Sequence, residues 1–177
     1  MIARLRNTLL YLLLFIAMLI VFMPKVNLYY LLEKELSAKG VVISSENLSD
    51  RFFSLNIKDA TIYVKQIKSA KVANVNITTL LFYNYIEFDN IELSQSFEDM
   101  LPTKIKNVKI LYSVLNPLNI TATSIGEFGE ASAVISLEKR VVFVTIKASK
   151  RLVDKYSKIL RPLKTDGKGS YTYEYNF

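Results

Sequence analysis

Cysteine and histidine are missing from this 177-residue sequence, and glycine and proline are scarce, at 5 and 4 residues. Without cysteine no disulfide can cross-link the chain. That is ordinary in a bacterial periplasm or a cytosol and less usual for a small secreted eukaryotic domain, so a bacterial setting is expected. Without histidine the commonest general base, the Cys–His and Ser–His nucleophile pairs and nearly every zinc site are excluded by composition. An enzyme would have to work with carboxylates, Lys or Tyr alone. The paired acids Glu98-Asp99 and Glu87 with Asp89 could do so only from a cleft, and a strand period puts Glu87 and Asp89 on a wet face. The glycine pairs in Gly126-Glu127-Phe128-Gly129 and Asp166-Gly167-Lys168-Gly169 fit neither GxGxxG nor a P-loop. No catalytic residue, cofactor or metal site is expected, and turns must rely mostly on Asp and Asn.

What the chain does have is an unbroken apolar run, Leu9 to Met23, with no charge, amide or helix breaker. As a helix these fifteen residues span about 22 Å, short of the ~30 Å hydrocarbon core, so a membrane anchor must borrow from its flanks. Asn7 and Thr8 can enter at one end with Arg4 and Arg6 snorkelling outward, and Lys25 and Val26 can extend the span past Pro24 at the other. Leu9, Leu12, Phe15, Leu19 and Phe22 are the expected anchor residues in contact with the lipid bilayer. A cleaved signal peptide is the rival, but Val21, Phe22, Met23 and Pro24 offer no small-x-small site. Arg4, Arg6 and the α-amine precede the run with no acid among them, so the N-terminus is expected in the cytoplasm and the rest across a bacterial inner membrane, in the periplasm. Lys25, Lys34 and Lys39 follow it, offset by Glu33 and Glu35.

The expected division is a cytoplasmic tip and anchor over 1–26, an amphipathic linker helix over 27–40 and one β-rich domain over 41–177. In the linker, Leu28, Leu31, Leu32 and Leu36 share a helix face and Gly40 is the stop. That face either lies on the membrane interface, with Tyr29 and Tyr30 at headgroup level, or packs on the sheet. From Val41 to about Lys147 the period is 2, with β-branched and aromatic residues alternating with charge, the pattern of an antiparallel sheet wet on one side. It breaks at Thr78 to Tyr85, where Leu80, Leu81, Phe82 and Tyr83 suit either a short helical connection that plugs the sheet or a hairpin loop.

A second helix is expected over Ser149 to Lys164, with Ser149 as N-cap and Leu152, Val153, Tyr156, Ile159, Leu160 and Leu163 as its apolar stripe. Its outer face carries Lys150, Arg151, Lys155, Lys158 and Arg161, either simply solvated or in contact with phospholipid headgroups or an acidic partner. The final SYTYEYNF alternates, placing Tyr171, Tyr173, Tyr175 and Phe177 on one side as a closing strand. Eleven Tyr and ten Phe sit at core-facing strand positions rather than interleaved with Arg, and the formal charge of +7, or +5 without Arg4 and Arg6, is spread along the chain. No direct nucleic-acid binding is predicted. The fold class is therefore α+β, mainly β: one N-terminal transmembrane helix, then an antiparallel β-sheet domain with two amphipathic helices.

The order of these parts, with the connection NITTLLFYNYIEFDNIEL and the tail SIGEFGEASAVISLEKRVVFVTIKASKRLVDKYSKILRPLKTDGKGSYTYEY, resembles the single-span periplasmic proteins related to type II secretion protein N and the AsmA-like family. The resemblance implies that the β domain is a twisted antiparallel groove-like β-sheet. It also implies a non-enzymatic inner-membrane component of a secretion, pilus or DNA-uptake apparatus, with the inner-membrane platform proteins as partners, or else AsmA-like lipid binding or transfer. An assembly component needs a filled core and a free edge, such as Ser170 to Phe177. A lipid carrier needs an apolar channel whose walls do not close on each other.

Overall fold

The computed structural model describes residues 2–80 and 82–177 and is mainly β. α1 (Ile2–Val21) has 20 residues and so a length of about 30 Å, matching a hydrocarbon core. The 18-residue window Arg4–Val21 is apolar enough to cross a membrane, and none of it is buried against the rest of the protein. Its length comes from the N-terminal flank alone. Pro24 interrupts the helix, and Lys25 and Val26 open α2 (Lys25–Ala38) instead of prolonging the span. Gly40, at φ +80°, ends α2 in the left-handed region that a residue with a Cβ avoids, as its position predicts.

The remaining chain forms one antiparallel sheet. β1 (Val41–Ser44) and β2 (Asn47–Asp50) lie end to end along β3 (Ser54–Val64). A meander follows through β4 (Ile67–Thr79), β5 (Tyr83–Leu93), β6 (Lys104–Ser113), β7 (Asn119–Gly126), β8 (Gly129–Ser136) and β9 (Val141–Ala148). After α3 (Lys150–Lys155) and α4 (Ser157–Leu160), β10 (Lys164–Thr165) and β11 (Ser170–Asn176) return, and β11 pairs with β9 along its whole length.

Four strands share a change of phase. The ladder passes from Lys58↔Asn74 to Ala60↔Val72, from Asn74↔Asp89 to Val72↔Ile91, and from Asp89↔Asn107 to Ile91↔Ile105, so Asp59, Ala73, Asn90 and Lys106 are skipped side by side. Each strand thus carries one extra residue at the same level, and apolar spacing there is three: Ile57 and Ala60, Val72 and Val75, Phe88 and Ile91 all reach one core cluster. Asp59 and Asn90 take φ of +56° and +52°, which short polar side chains tolerate best. Because the insertions coincide, β3 to β6 stay in register across them, whereas β7 has no matching residue and its register against β6 shifts at Lys106.

One face of the sheet is polar, as the alternation predicts. Asn56 donates to Asn74 at 2.7 Å, Asn74 to Asp89 at 3.2 Å and Asn107 to Asp89 at 2.8 Å, while Lys109 lies 3.4 Å from Glu87. The other face is apolar and carries both helical segments. α2 seats Tyr29 and Val26 on Leu55, Ile57, Ala60, Val72 and Val75, and α3 with α4 seats Leu152, Tyr156 and Leu160 on Ile146, Ala148 and Tyr171.

Three expectations are corrected and one open alternative is decided. Leu28, Leu31 and Leu32 of α2 stay exposed while Tyr29 is buried, because Gly40 leads straight into β1 and the β1–β3 pairing sets the rotation of the helix. Of the two readings of Thr78 to Tyr85 the hairpin is found: Leu80 and Tyr83 exchange backbone bonds of 3.2 and 3.3 Å, and Leu80, Phe82 and Tyr83 plug nothing, being exposed; Leu81 lies outside the described residues. The second helix breaks at Tyr156 (φ −121°, ψ 28°), and Leu152, Tyr156 and Leu160 take the buried face while Val153 before the break and Ile159 after it are exposed. Tyr173, Tyr175 and Phe177 are exposed rather than core-facing, because no helix reaches that end of β11. The Ser149 cap is as predicted, its hydroxyl accepting from the Leu152 N–H at 3.2 Å.

Candidate functional site

Between α2 and the apolar face of β3, β4 and β5 the side chains do not close on each other. A cleft of about 200 Å³ is lined by Tyr29, Leu32, Leu36, Ile62, Val75 and Phe88, among others. A second, of about 150 Å³, shares Tyr29, Leu32, Ile77 and Ile86 with it and adds Lys25, Leu28 and Thr79. A third, of about 390 Å³, shares Thr79 with the second and is lined also by Leu19 and Ile20 at the end of α1 and by Met23 just beyond it. Together they make a trough that starts beside the end of α1 and follows α2 towards Leu36. The leucines that α2 does not bury overhang it. Beyond α2 the same face continues, half-buried and without a helix over it, through Ile110, Ile120, Ala122, Ala133, Ile135 and Val144.

A few polar groups interrupt this lining. Lys25 is only 5% exposed, and its Nζ lies 3.3 Å from Asp50 Oδ1. The hydroxyls of Tyr29, Thr79 and Ser124 are buried with no hydrogen-bond partner among the described residues. Burial, then the charge of the Glu46 and Glu33 carboxylates, raises the Tyr29 pKa above its ordinary value. Unpartnered buried hydroxyls cost about 1–3 kcal/mol each, and a carbonyl, ester or headgroup oxygen would relieve that cost. Asp50→Ala removes the counter-charge of Lys25. It is expected to cost about 2 kcal/mol, less than a fully buried pair because Asp50 is 44% exposed, read as a lower melting temperature of the detergent-solubilised chain.

The sequence-predicted residues fall into three groups. Leu9, Leu12, Phe15, Leu19 and Phe22 are all exposed, and Leu19 also lines the third cleft. Arg4 and Arg6 lie in the first turns of α1. Lys150, Arg151, Lys155, Lys158 and Arg161 are exposed on α3, α4 and just beyond. Two of these five have protein partners: Arg151 Nη1 sits 2.7 Å from Glu127 Oε1, and Lys155 Nζ lies 5.2 Å from the Tyr156 ring centroid. No protein-family model, curated protein or solved structure matches the chain. The site therefore stands on its own geometry.

Lys25, Tyr29 and Thr79 were missed by sequence reasoning. Lys25 and Tyr29 are spaced i, i+4 directly after Pro24, a pattern that could have marked them as one packed face; nothing local distinguishes Thr79 from the threonine before it. The last strand does offer an edge. β10 covers β11 only opposite Tyr171 and Thr172, which leaves Tyr173 to Asn176 open on that side among the described residues.

Proposed function

We propose that this is a non-enzymatic, single-span membrane protein whose β domain holds lipid chains on its apolar face, the lipid-binding or lipid-transfer role implied by the AsmA-like resemblance. In this reading α1 crosses a bacterial inner membrane with Arg4 and Arg6 in the cytoplasm, and the sheet lies on the periplasmic side. One observation carries it: the apolar trough opens at the end of the candidate span and runs away from it along α2. An acyl chain leaving the bilayer would meet Leu19, Ile20 and Met23, then Leu32, along a lining that only Lys25, Thr79 and Asn84 interrupt.

The experiment is purification of the full chain from native membranes, with mass spectrometry of its lipid fraction. Stoichiometric phospholipid is expected. Leu32→Glu puts a charge into the trough at a position 49% exposed, so the fold survives while bound lipid falls roughly tenfold or more. Equal lipid on both proteins would overturn the reading. The open Tyr173–Asn176 edge favours a second reading, a component of a secretion, pilus or DNA-uptake apparatus that pairs this strand with a platform protein. Recovery of such proteins crosslinked at Tyr175, without lipid, would select it.

A further inference from the structure

The strand order brings one set of turns to a single end of the sheet. The β2–β3 turn (51–53), the β4–β5 turn (80–82), the β6–β7 loop (114–118), the β8–β9 turn (137–140) and Phe177 lie side by side there. Backbone bonds tie each to the next segment: Thr79 donates to Phe53, Val114 to Phe82, Leu137 to Leu118 and Phe177 to Arg140, at 3.2, 3.1, 2.8 and 2.9 Å. These turns are not built of the residues that solvent favours. Phe52 is 72% exposed, Phe82 63% and Leu115 88%, with Phe53, Tyr83 and Leu118 about half exposed. The connections at the opposite end are Lys65-Gln66, residues 94–103, Glu127-Phe128 and Asp166 to Gly169, where exposed apolar side chains such as Ile67 and Met100 are scattered. Single exposed apolar residues need no explanation; a row of them on consecutive turns does.

The apolar end is also where α1 arrives. Leu19, Ile20 and Met23 share a cleft with Thr79, Leu80 and Asn84, so the β4–β5 turn stands level with the last turns of the candidate span. We infer that this row of turns is a second membrane contact. Phe52, Phe82 and Leu115 enter the interfacial layer of the leaflet in which α1 ends, and the sheet stands with its strands rising from that surface. Tyr83 at the turn and Arg51 beside Phe52 suit the headgroup zone, where amphipathic rings and cations settle. Monotopic contacts of this kind bury apolar side chains about 5–10 Å into the boundary. The contact would hold the mouth of the trough, at Leu19, Met23 and Thr79, against the acyl chains. This inference rests on α1 being inserted, which the experiment tests separately.

The chain has no cysteine, so single labels are unambiguous. Phe15→Cys, Phe82→Cys, Leu115→Cys and Lys168→Cys, each in the full chain, are labelled with an environment-sensitive fluorophore. The proteins are reconstituted into phosphatidylethanolamine/phosphatidylglycerol vesicles and quenched by aqueous iodide or by nitroxide-bearing lipid. Labels at 15, 82 and 115 are expected to lose several-fold of the iodide quenching seen at 168 and to be quenched by the lipid nitroxide. Labels at 82 and 115 as open to iodide as the one at 168, with 15 protected, would overturn the turn contact and leave the anchor standing. Failure of the lipid nitroxide to quench label 15 would overturn both.

Discussion

Gly129→Ala is expected to lower the stability of the folded domain by about 3 kcal/mol or more, a fall in melting temperature on the order of 10 °C when the full chain in detergent is followed by circular dichroism. Gly129 opens β8 at φ +109°, and a Cβ there would collide with the carbonyl oxygen of Lys147 and stand 2.8 Å from the Ser149 backbone nitrogen. Both neighbours are backbone atoms held by other bonds. Gly129 is paired with Ala148 and Glu130 with Lys147, while the Ser149 N–H donates to the Phe128 carbonyl at 2.9 Å. Relief therefore requires opening the β8–β9 ladder or displacing the start of α3. The second route would disturb the Ser149 cap and, through it, the seating of Leu152 on Ile146 and Phe128. Gly167→Ala is the control: its φ is also positive, but nothing lies within 4 Å of the added carbon, so only the backbone strain of about 1–2 kcal/mol applies. Equal losses at the two sites would refute the steric account.

Leu55→Ala should cost about 3–5 kcal/mol by the same measurement, whereas Leu31→Ala should stay within about 0.5 kcal/mol. Leu55 is 1% exposed in the cluster with Ile57, Val72, Val75 and Tyr29, and truncating it leaves a cavity between α2 and the sheet. Leu31 belongs to the leucine stripe that hydropathy alone would bury, yet it is 57% exposed. The contrast tests the rotation of α2 directly. Equal costs would mean that the leucine stripe, not Tyr29, faces the sheet. It would also close the trough, since Leu32 and Leu36 would then fill it, and the lipid reading would lose its main support.

The candidate site was legible only in part. Its apolar half is written into the strands: Ile57, Ile62, Val75, Ile77 and Ile86 alternate with charge or amide over most of their length, and the wet side holding Glu87 and Asp89 follows from the same alternation. Its polar half was not legible. Lys25 reads as a juxtamembrane cation and becomes a nearly buried one only because Asp50, twenty-five residues later, is delivered beside it by the β2–β3 pairing. The spacing of three at Asp59, Ala73, Asn90 and Lys106 is visible in each strand singly as a lapse of pattern. Its meaning, an aligned insertion across four strands, exists only once the strands are paired.

What this sequence determined by itself is whatever short-range physics decides. A charge-free run makes a helix apolar all round, Pro24 stops it, Gly40 ends α2, Ser149 caps α3, and an alternating pattern makes strands with one wet face. Each of these is settled within a few residues, by dihedral preference, local hydrogen bonding or periodicity. The tertiary structure alone decided which side of α2 is buried, where the second helix breaks, that the trough stays open, and that Phe52, Phe82 and Leu115 gather at the end where α1 arrives. These outcomes depend on contacts between residues far apart in the chain. No local pattern encodes them, because the free energy that selects them appears only when the sheet closes against both helices at once.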